Sequence, residues 1–190
     1  ILLLTFTRKA AKEMLDRAAI LLDNRCSKIN GGTFHSFANL TLRKYAKAAG
    51  LENGFTILDQ GDSEDVINLI RAQLKLGESK KRFPNKQTIF KIISLSVNTN
   101  KTIEEILAEE YPHFSEYLEK ITQINLFYTE YKKKKNFLDY ADLLVYLKKF
   151  LYDLPHPENT FVSELNFVMV DESQDTNYLQ AEIIRGLAQV

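Results

Sequence analysis

Asp171 and Glu172 stand side by side at the end of an apolar run, in the stretch NFVMVDESQDTNYLQ from Asn166 to Gln180. Two adjacent carboxylates offer hard oxygen donors for a hydrated Mg2+ and a base for a water molecule. Their position matters as much as their type. An uninterrupted apolar run reads as a buried parallel strand, and ligands of open α/β sheets bind just beyond the carboxyl ends of such strands. Asp171 is therefore placed to hold a metal on a phosphate chain, and Glu172 to orient or deprotonate an attacking water. The same two acids also suit the first residues of a surface loop, and the run alone does not separate these readings. A little further on, Asn177 and Gln180 have the spacing of a helix N-cap and its N3 partner.

A strand can aim those acids only if a sheet surrounds it. The chain opens on an apolar run, Ile1–Phe6, with no basic flank before it, as a strand entered in the middle of a fold would read. Thr7 suits an N-cap, and Ala10, Ala11, Met14, Leu15, Ala18, Leu21 and Leu22 recur at helical spacing, which predicts a helix from Arg8 to about Leu22. A short strand around Ile29–Phe34, interrupted by Gly31 and Gly32, and a helix from His35 to Ala49 follow. Strand–helix–strand–helix at this spacing predicts a parallel sheet with right-handed crossovers.

From Leu51 the pattern becomes helical. Asp62 reads as the cap of a helix ending near Gly77, and Pro84 fits the first turn of a helix to about Val97. Thr102 and Glu105 form a T-x-x-E capping box. Apolar positions from Phe114 to Tyr131 mark a long helix that closes on Lys132–Lys135. Asp139, with Asp142 three residues on, reads as the cap of another helix to about Tyr152. DLPHPENT, 153–160, reads as a loop. The sheet-bearing parts are thus 1–50 and 158–190, with 51–157 an all-helical insertion.

Composition narrows the class. The 190 residues are 45% hydrophobic and 26% charged, which suits one globular domain with an insertion. Lys+Arg and Asp+Glu are both 25, so net charge points to no partner. The distribution is uneven, however. Residues 1–50 carry nine basic groups against three acids, and residues 158–190 carry six acids and only Arg185. A lone Cys26 excludes an internal disulfide, and three scattered histidines give no zinc-ligand spacing. Lys80–Arg82 and Lys132–Lys135 read as solvated helix ends before they read as DNA contacts.

Four strings, in order, carry a family resemblance. DESQDTNYLQ (Asp171–Gln180) resembles the Walker B segment, motif II, of superfamily 1 helicases of the UvrD, PcrA and Rep type. TFTRKAAKEM (Thr5–Met14) resembles that family's motif Ia, GGTFHSF (Gly31–Phe37) its motif Ib, and FLDYADLL (Phe137–Leu144) its D-F-x-D-L-L segment. The chain departs from the family at Arg8, where Asn is usual, at Ser173, where an aromatic is usual, and at Ala141, where an acid is common.

The resemblance implies an α/β fold, a partial RecA-like parallel sheet of the P-loop NTPase type, with the helical accessory subdomain called 1B inserted. It implies ATP and Mg2+ as ligands, with Asp171 holding Mg2+ through water and Glu172 activating the hydrolytic water. Gln174 and Asp175 would couple the nucleotide site to neighbouring motifs. Phe6, Thr7, Arg8, Thr33, His35 and Ser36 would line a track for single-stranded DNA, up to single-strand/duplex junctions. Taken singly, Phe6 also reads as core, Thr7 as a cap and His35 as a polar residue at a helix start. No Gly in the sequence precedes Lys, so the phosphate-cradling loop G-x-x-x-x-G-K-S/T is expected before Ile1. A second RecA-like domain is expected beyond Val190. The implied parent is a cytoplasmic ATP-dependent helicase moving 3′ to 5′, inactive as an ATPase in this segment alone. The helicase subunit of a RecB or AddA type helicase–nuclease, and a non-enzymatic DNA-binding scaffold, share the same motifs.

Overall fold

The computed structural model describes residues 1–22, 30–76, 83–153 and 165–188. Cys26, Gly77, the Lys80–Arg82 run and all of the DLPHPENT segment except Asp153 lie outside the described residues. The described chain forms two compact units, residues 1–53 with 143–190, and residues 54–142.

The first unit is built on three parallel strands: β1 (Leu2–Thr5), β2 (Asn30–Thr33) and, from the far end of the chain, the strand Val168–Val170. With the pair in the second unit counted, that last strand is β5. Their order is β2-β1-β5, so β1 is central. The register pairs Leu2 with Asn30 and Val168, and Leu4 with Gly32 and Val170. Every residue of β1 is buried, as expected of a strand covered on both faces. Helix α1 (Arg8–Leu22) follows β1 and packs against β2 so closely that a Cβ on Gly31 would lie 2.6 Å from Leu15 Cδ2. Glycine is required there by the approach of helix to strand. Helix α2 (Phe34–Lys44) is shorter than the expected His35–Ala49. Its continuation is a set of turns that still bury Ala46 and Ala49.

β5 differs from expectation. The apolar run FVMV predicts a buried strand, but Phe167 and Met169 are 65% and 60% exposed. β5 has β1 on one side and no strand on the other among the described residues, so alternate side chains lack a cover. Its backbone is nonetheless fixed: Leu2 N–H donates to Phe167 O at 2.8 Å and Asp171 N–H to Leu4 O at 2.9 Å.

The second unit holds α3 (Gln60–Gln73), α4 (Lys86–Thr99), α5 (Ile103–Glu110), a 3-10 segment Pro112–Tyr117 and α6 (Leu118–Lys135). One apolar cluster joins Ile67, Ile70, Ile89, Ile93, Ile124 and Tyr128, and a second centres on Ile92, Ile106, Leu107 and Ile121. The segment is not wholly helical. β3 (Thr56–Ile57) and β4 (Phe137–Leu138) form a two-residue parallel pair, too short to leave a periodic signal. Two caps also differ. Asp59 caps α3 and Asp62 is its N3 partner, each side chain accepting the other's N–H. Asn85 caps α4, leaving Pro84 one residue outside the helix.

Helix α7 (Tyr140–Asp153) lies in the first unit from Leu143 onward, whereas the sequence pattern placed the segment's end at 157. Its buried Leu147, Phe150 and Leu151 explain the assignment, and Tyr45 stacks on Phe150 at 5.4 Å. Helix α8 (Tyr178–Ala188) meets α7 at Gly186, where a Cβ would lie 3.2 Å from Leu151 Cβ.

Candidate functional site

Because all three strands of the first unit run the same way, their carboxyl ends share one edge. Thr5, Thr33 and Asp171 stand there on adjacent strands: Thr5 pairs with Thr33, and Asp171 follows the Leu4–Val170 pair. The sheet therefore brings motif residues from both ends of the chain to one place, although 165 residues separate Phe6 from Asp171.

Asp171 and Glu172 are exposed at that edge. Glu172 adopts a left-handed backbone conformation, φ 52° and ψ 41°. For a residue with a Cβ this conformation is unfavourable by about 1–2 kcal/mol. The other described non-glycine residues with positive φ, Lys75, Asn100 and Asn136, follow the ends of α-helices, where the conformation is common. Glu172 ends no α-helix. It is held by its own N–H donating to Asp171 Oδ1 at 3.0 Å and by its carbonyl accepting from Asp175 N–H at 3.0 Å. A 3-10 turn, Ser173–Asp175, carries Gln174 and Asp175 away from the acids, both exposed. Thr176 Oγ1 closes the turn by donating to Ser173 O at 2.7 Å. The Asn177–Gln180 pair is a reciprocal cap, Gln180 N–H to Asn177 Oδ1 at 2.9 Å and Asn177 N–H to Gln180 Oε1 at 3.1 Å. Tyr152 Oη donates to Glu182 O at 3.1 Å, which ties α8 to α7 and so fixes the far side of the loop.

The residues expected along a DNA track divide by exposure. Thr7 and Arg8 are exposed, as is Ser36, while Phe6 and His35 are half-buried. Phe6 lies 6.0 Å from the Phe34 ring at an interplanar angle of 60°, so one part of it packs and the rest is accessible. Thr7 Oγ1 accepts from Ala10 N–H at 3.1 Å at the start of α1. Thr33 is buried and is the N-cap of α2: its hydroxyl accepts Ser36 N–H at 3.2 Å and lies 2.9 Å from Ser36 Oγ. Burial lowers the His35 pKa from its usual value, so the imidazole is neutral at neutral pH.

One residue of the motif Ia string was given no role of its own by the sequence. Thr5 is fully buried, and its Oγ1 has no hydrogen-bond partner among the described residues. The donor set at this edge is all oxygen. No group of three or more His, Cys, Asp or Glu side chains gathers anywhere among the described residues. The oxygen donors of Asp171 and Glu172 suit Mg2+, which retains waters and takes one or two carboxylates together with phosphate oxygens. The residues fit the implied metal. A cavity of about 400 Å3 lined by Leu2, Leu15, Phe37 and Leu40 runs along α2 and reaches Ser36, and neither Asp171 nor Glu172 lines it.

The first unit is thus a parallel α/β unit with paired acids beyond one strand and an exposed basic helix start beyond its neighbour. The family model described as the UvrD/REP helicase N-terminal domain matches residues 1–190, and the chain belongs to that family. It is 33% identical over 190 residues to a probable DNA helicase II homolog of Mycoplasma capricolum, covering 98% of this chain and 26% of that protein. It is 33% identical to a DNA helicase II of Rickettsia typhi, and 31% identical to the ATP-dependent DNA helicase PcrA of Staphylococcus epidermidis over 99% of this chain. The chain spans about a quarter of the length of these relatives. No described helix is long and apolar enough to cross a membrane.

Proposed function

We propose that this chain is the motif Ia, Ib and II portion of an ATP-dependent DNA helicase that moves 3′ to 5′ on single-stranded DNA. The observation that carries the reading is the shared carboxyl edge, where the Asp171–Glu172 pair follows one strand and Phe6, Thr7 and Arg8 follow its hydrogen-bonded neighbour. A nucleotide event at β5 is thereby one strand away from the DNA contacts that leave β1.

Asp171 would hold Mg2+ through its water shell. Glu172 orients the attacking water and accepts its proton as the new bond to the terminal phosphorus forms and the bridging bond to ADP breaks. Bound Mg2+ neutralises charge on the phosphate oxygens. The αL backbone of Glu172 turns its side chain off the line of β5. Gln174 and Asp175, on the following turn, carry the change toward neighbouring motifs. Phe6 stacks on a base, and Arg8 adds a phosphate contact; His35 and Ser36 donate hydrogen bonds, with Thr7 and Thr33 holding the helix starts from which these side chains project. The sequence holds no G-x-x-x-x-G-K-S/T, so phosphate cradling, like the second RecA-like domain, falls to other parts of the whole protein. Single-strand/duplex junctions are its proposed substrate.

ATP hydrolysis by the whole protein, with and without single-stranded DNA, tests this. Glu172→Gln should lower DNA-stimulated turnover by at least about a hundredfold, the scale of general-base catalysis, with ATP binding retained. The 190-residue chain alone should show no turnover. Unchanged turnover in the Glu172→Gln protein would refute the assignment of Glu172, and a whole protein with no turnover of its own would favour a scaffold.

A further inference from the structure

We propose that Thr5 is a positioning residue for the metal–nucleotide site, its hydroxyl holding the water shell that Asp171 shares with Mg2+; this rests on the functional reading above. Thr5 is the last residue of the central strand, 0% exposed, and its Oγ1 is without a hydrogen-bond partner among the described residues. Buried hydroxyls are satisfied in the large majority of cases, and one that is not calls for a water, an ion or a functional role. Strand propensity does not account for it. Valine has the same shape and β-branching and would leave no buried hydroxyl unsatisfied.

The neighbours limit what the hydroxyl can serve. On one side Thr5 pairs with Thr33, whose own hydroxyl already caps α2 and meets Ser36. On the other side, the backbone carbonyl of Leu4 accepts the Asp171 N–H at 2.9 Å, which sets the carboxylate-bearing residue level with Thr5. The DNA-facing residues begin only at Phe6. Thr5 thus stands between the cap of α2 and the acid that precedes Glu172, level with Asp171 in the sheet, and a hydrated metal held at Asp171 is the group there that would gain from an added donor. A hydroxyl suits that task because it donates to one oxygen and accepts from another.

The test uses the whole protein with a fluorescent ADP analogue, titrated with Mg2+, and follows thermal unfolding in parallel. Thr5→Val should raise the Mg2+ concentration for half-maximal nucleotide binding by about tenfold, the scale of one hydrogen bond to a charged group's shell. Its unfolding midpoint should stay equal or rise, because an unsatisfied hydroxyl has been removed, and Thr5→Ser should restore the Mg2+ dependence. A purely structural Thr5 would give the opposite pair: unaltered Mg2+ dependence with a lowered midpoint. That pair, or a wild-type-like Mg2+ curve for Thr5→Val alone, overturns the assignment while leaving the helicase reading intact. A wild-type protein whose nucleotide binding ignores Mg2+ overturns both.

Discussion

Phe6 and His35 are the two aromatic side chains through which this edge can touch a base, and their surroundings assign them different work. Phe6 rests partly on Phe34 and keeps part of its ring accessible. Base stacking is worth about 1–3 kcal/mol, so Phe6→Ala in the whole protein should weaken single-strand binding between about fivefold and a hundredfold, with the salt dependence unchanged. Arg8→Ala should instead lower the slope of log affinity against log salt by about 0.7, the share of one phosphate contact on single strands. His35, neutral through burial, should leave that slope alone when replaced by Ala. Anisotropy titrations at four salt concentrations separate these outcomes, and an unaltered affinity in Phe6→Ala would confine Phe6 to packing. Such residues could be singled out because they sit in short strings whose order and type are informative. Three residue-scale features could not. Nothing in the letters says that Thr33 spends its hydroxyl on a helix cap, that Thr5 has none to spend it on, or that Glu172 is left-handed, because each depends on backbone placement set by distant strands.

At the scale of elements, most capping patterns survived, and the charge run among the described residues survived for all but one of its lysines. Thr102 with Glu105 forms the expected reciprocal box, and so does Asn177 with Gln180. KKKK at the end of α6 reads as a solvated helix end, and Lys133, Lys134 and Lys135 are indeed exposed. Lys132, however, is buried, with its Nζ 2.6 Å from Asp139 Oδ2 and 2.6 Å from Asp142 Oδ2. Tyr128 Oη donates to the same Asp139 oxygen at 2.9 Å, and the two acids also cap α7 by accepting each other's N–H at 2.9 Å. One cation therefore serves a buried and a half-buried carboxylate that also act as a helix cap. Lys132→Met should cost about 3–5 kcal/mol, because it leaves two acids facing one another without a counter-charge. Asp142→Asn should be mild, since its amide oxygen still accepts the Asp139 N–H. The pH response has two limbs. Burial and the Asp139 charge raise the Asp142 pKa, so ionised Asp142 is a liability that is relieved as pH falls through its elevated value. Burial opposes ionisation of Asp139 as well, but Lys132 outweighs it and holds that carboxyl below the usual range. Its stabilising contribution is present above the ordinary carboxylate value and is lost only as pH falls through the depressed one. Urea midpoints from pH 7 to 3 should therefore hold or rise before they fall, and Asp142→Asn should erase the rise. A wild-type midpoint that declines steadily from pH 6 would contradict this account of the cluster.

For the whole molecule, the question is how a helical segment can interrupt a sheet without disturbing the edge on which the chemistry depends. The sheet-bearing unit is discontinuous, 1–53 with 143–190, and β5 reaches its place beside β1 only after the chain has left and returned. The second unit makes this possible by hydrogen-bonding its own entry to its own exit. Thr56 N–H donates to Asn136 O at 3.0 Å and Leu58 N–H to Leu138 O at 2.8 Å, so β3 and β4 clasp the two ends of the segment. Between them lie two apolar clusters made entirely of residues from this segment. A unit with its own core and paired ends is one that folds by itself, and such units are the ones tolerated as insertions. We therefore expect residues 54–142, produced alone, to give a helical far-ultraviolet spectrum and one cooperative urea transition. Lys132→Met in that fragment should abolish the transition, since about 3–5 kcal/mol is a large share of what an 89-residue domain has to lose. A fragment with helical signal but no cooperative transition would mean that the segment needs the sheet-bearing unit to fix its packing.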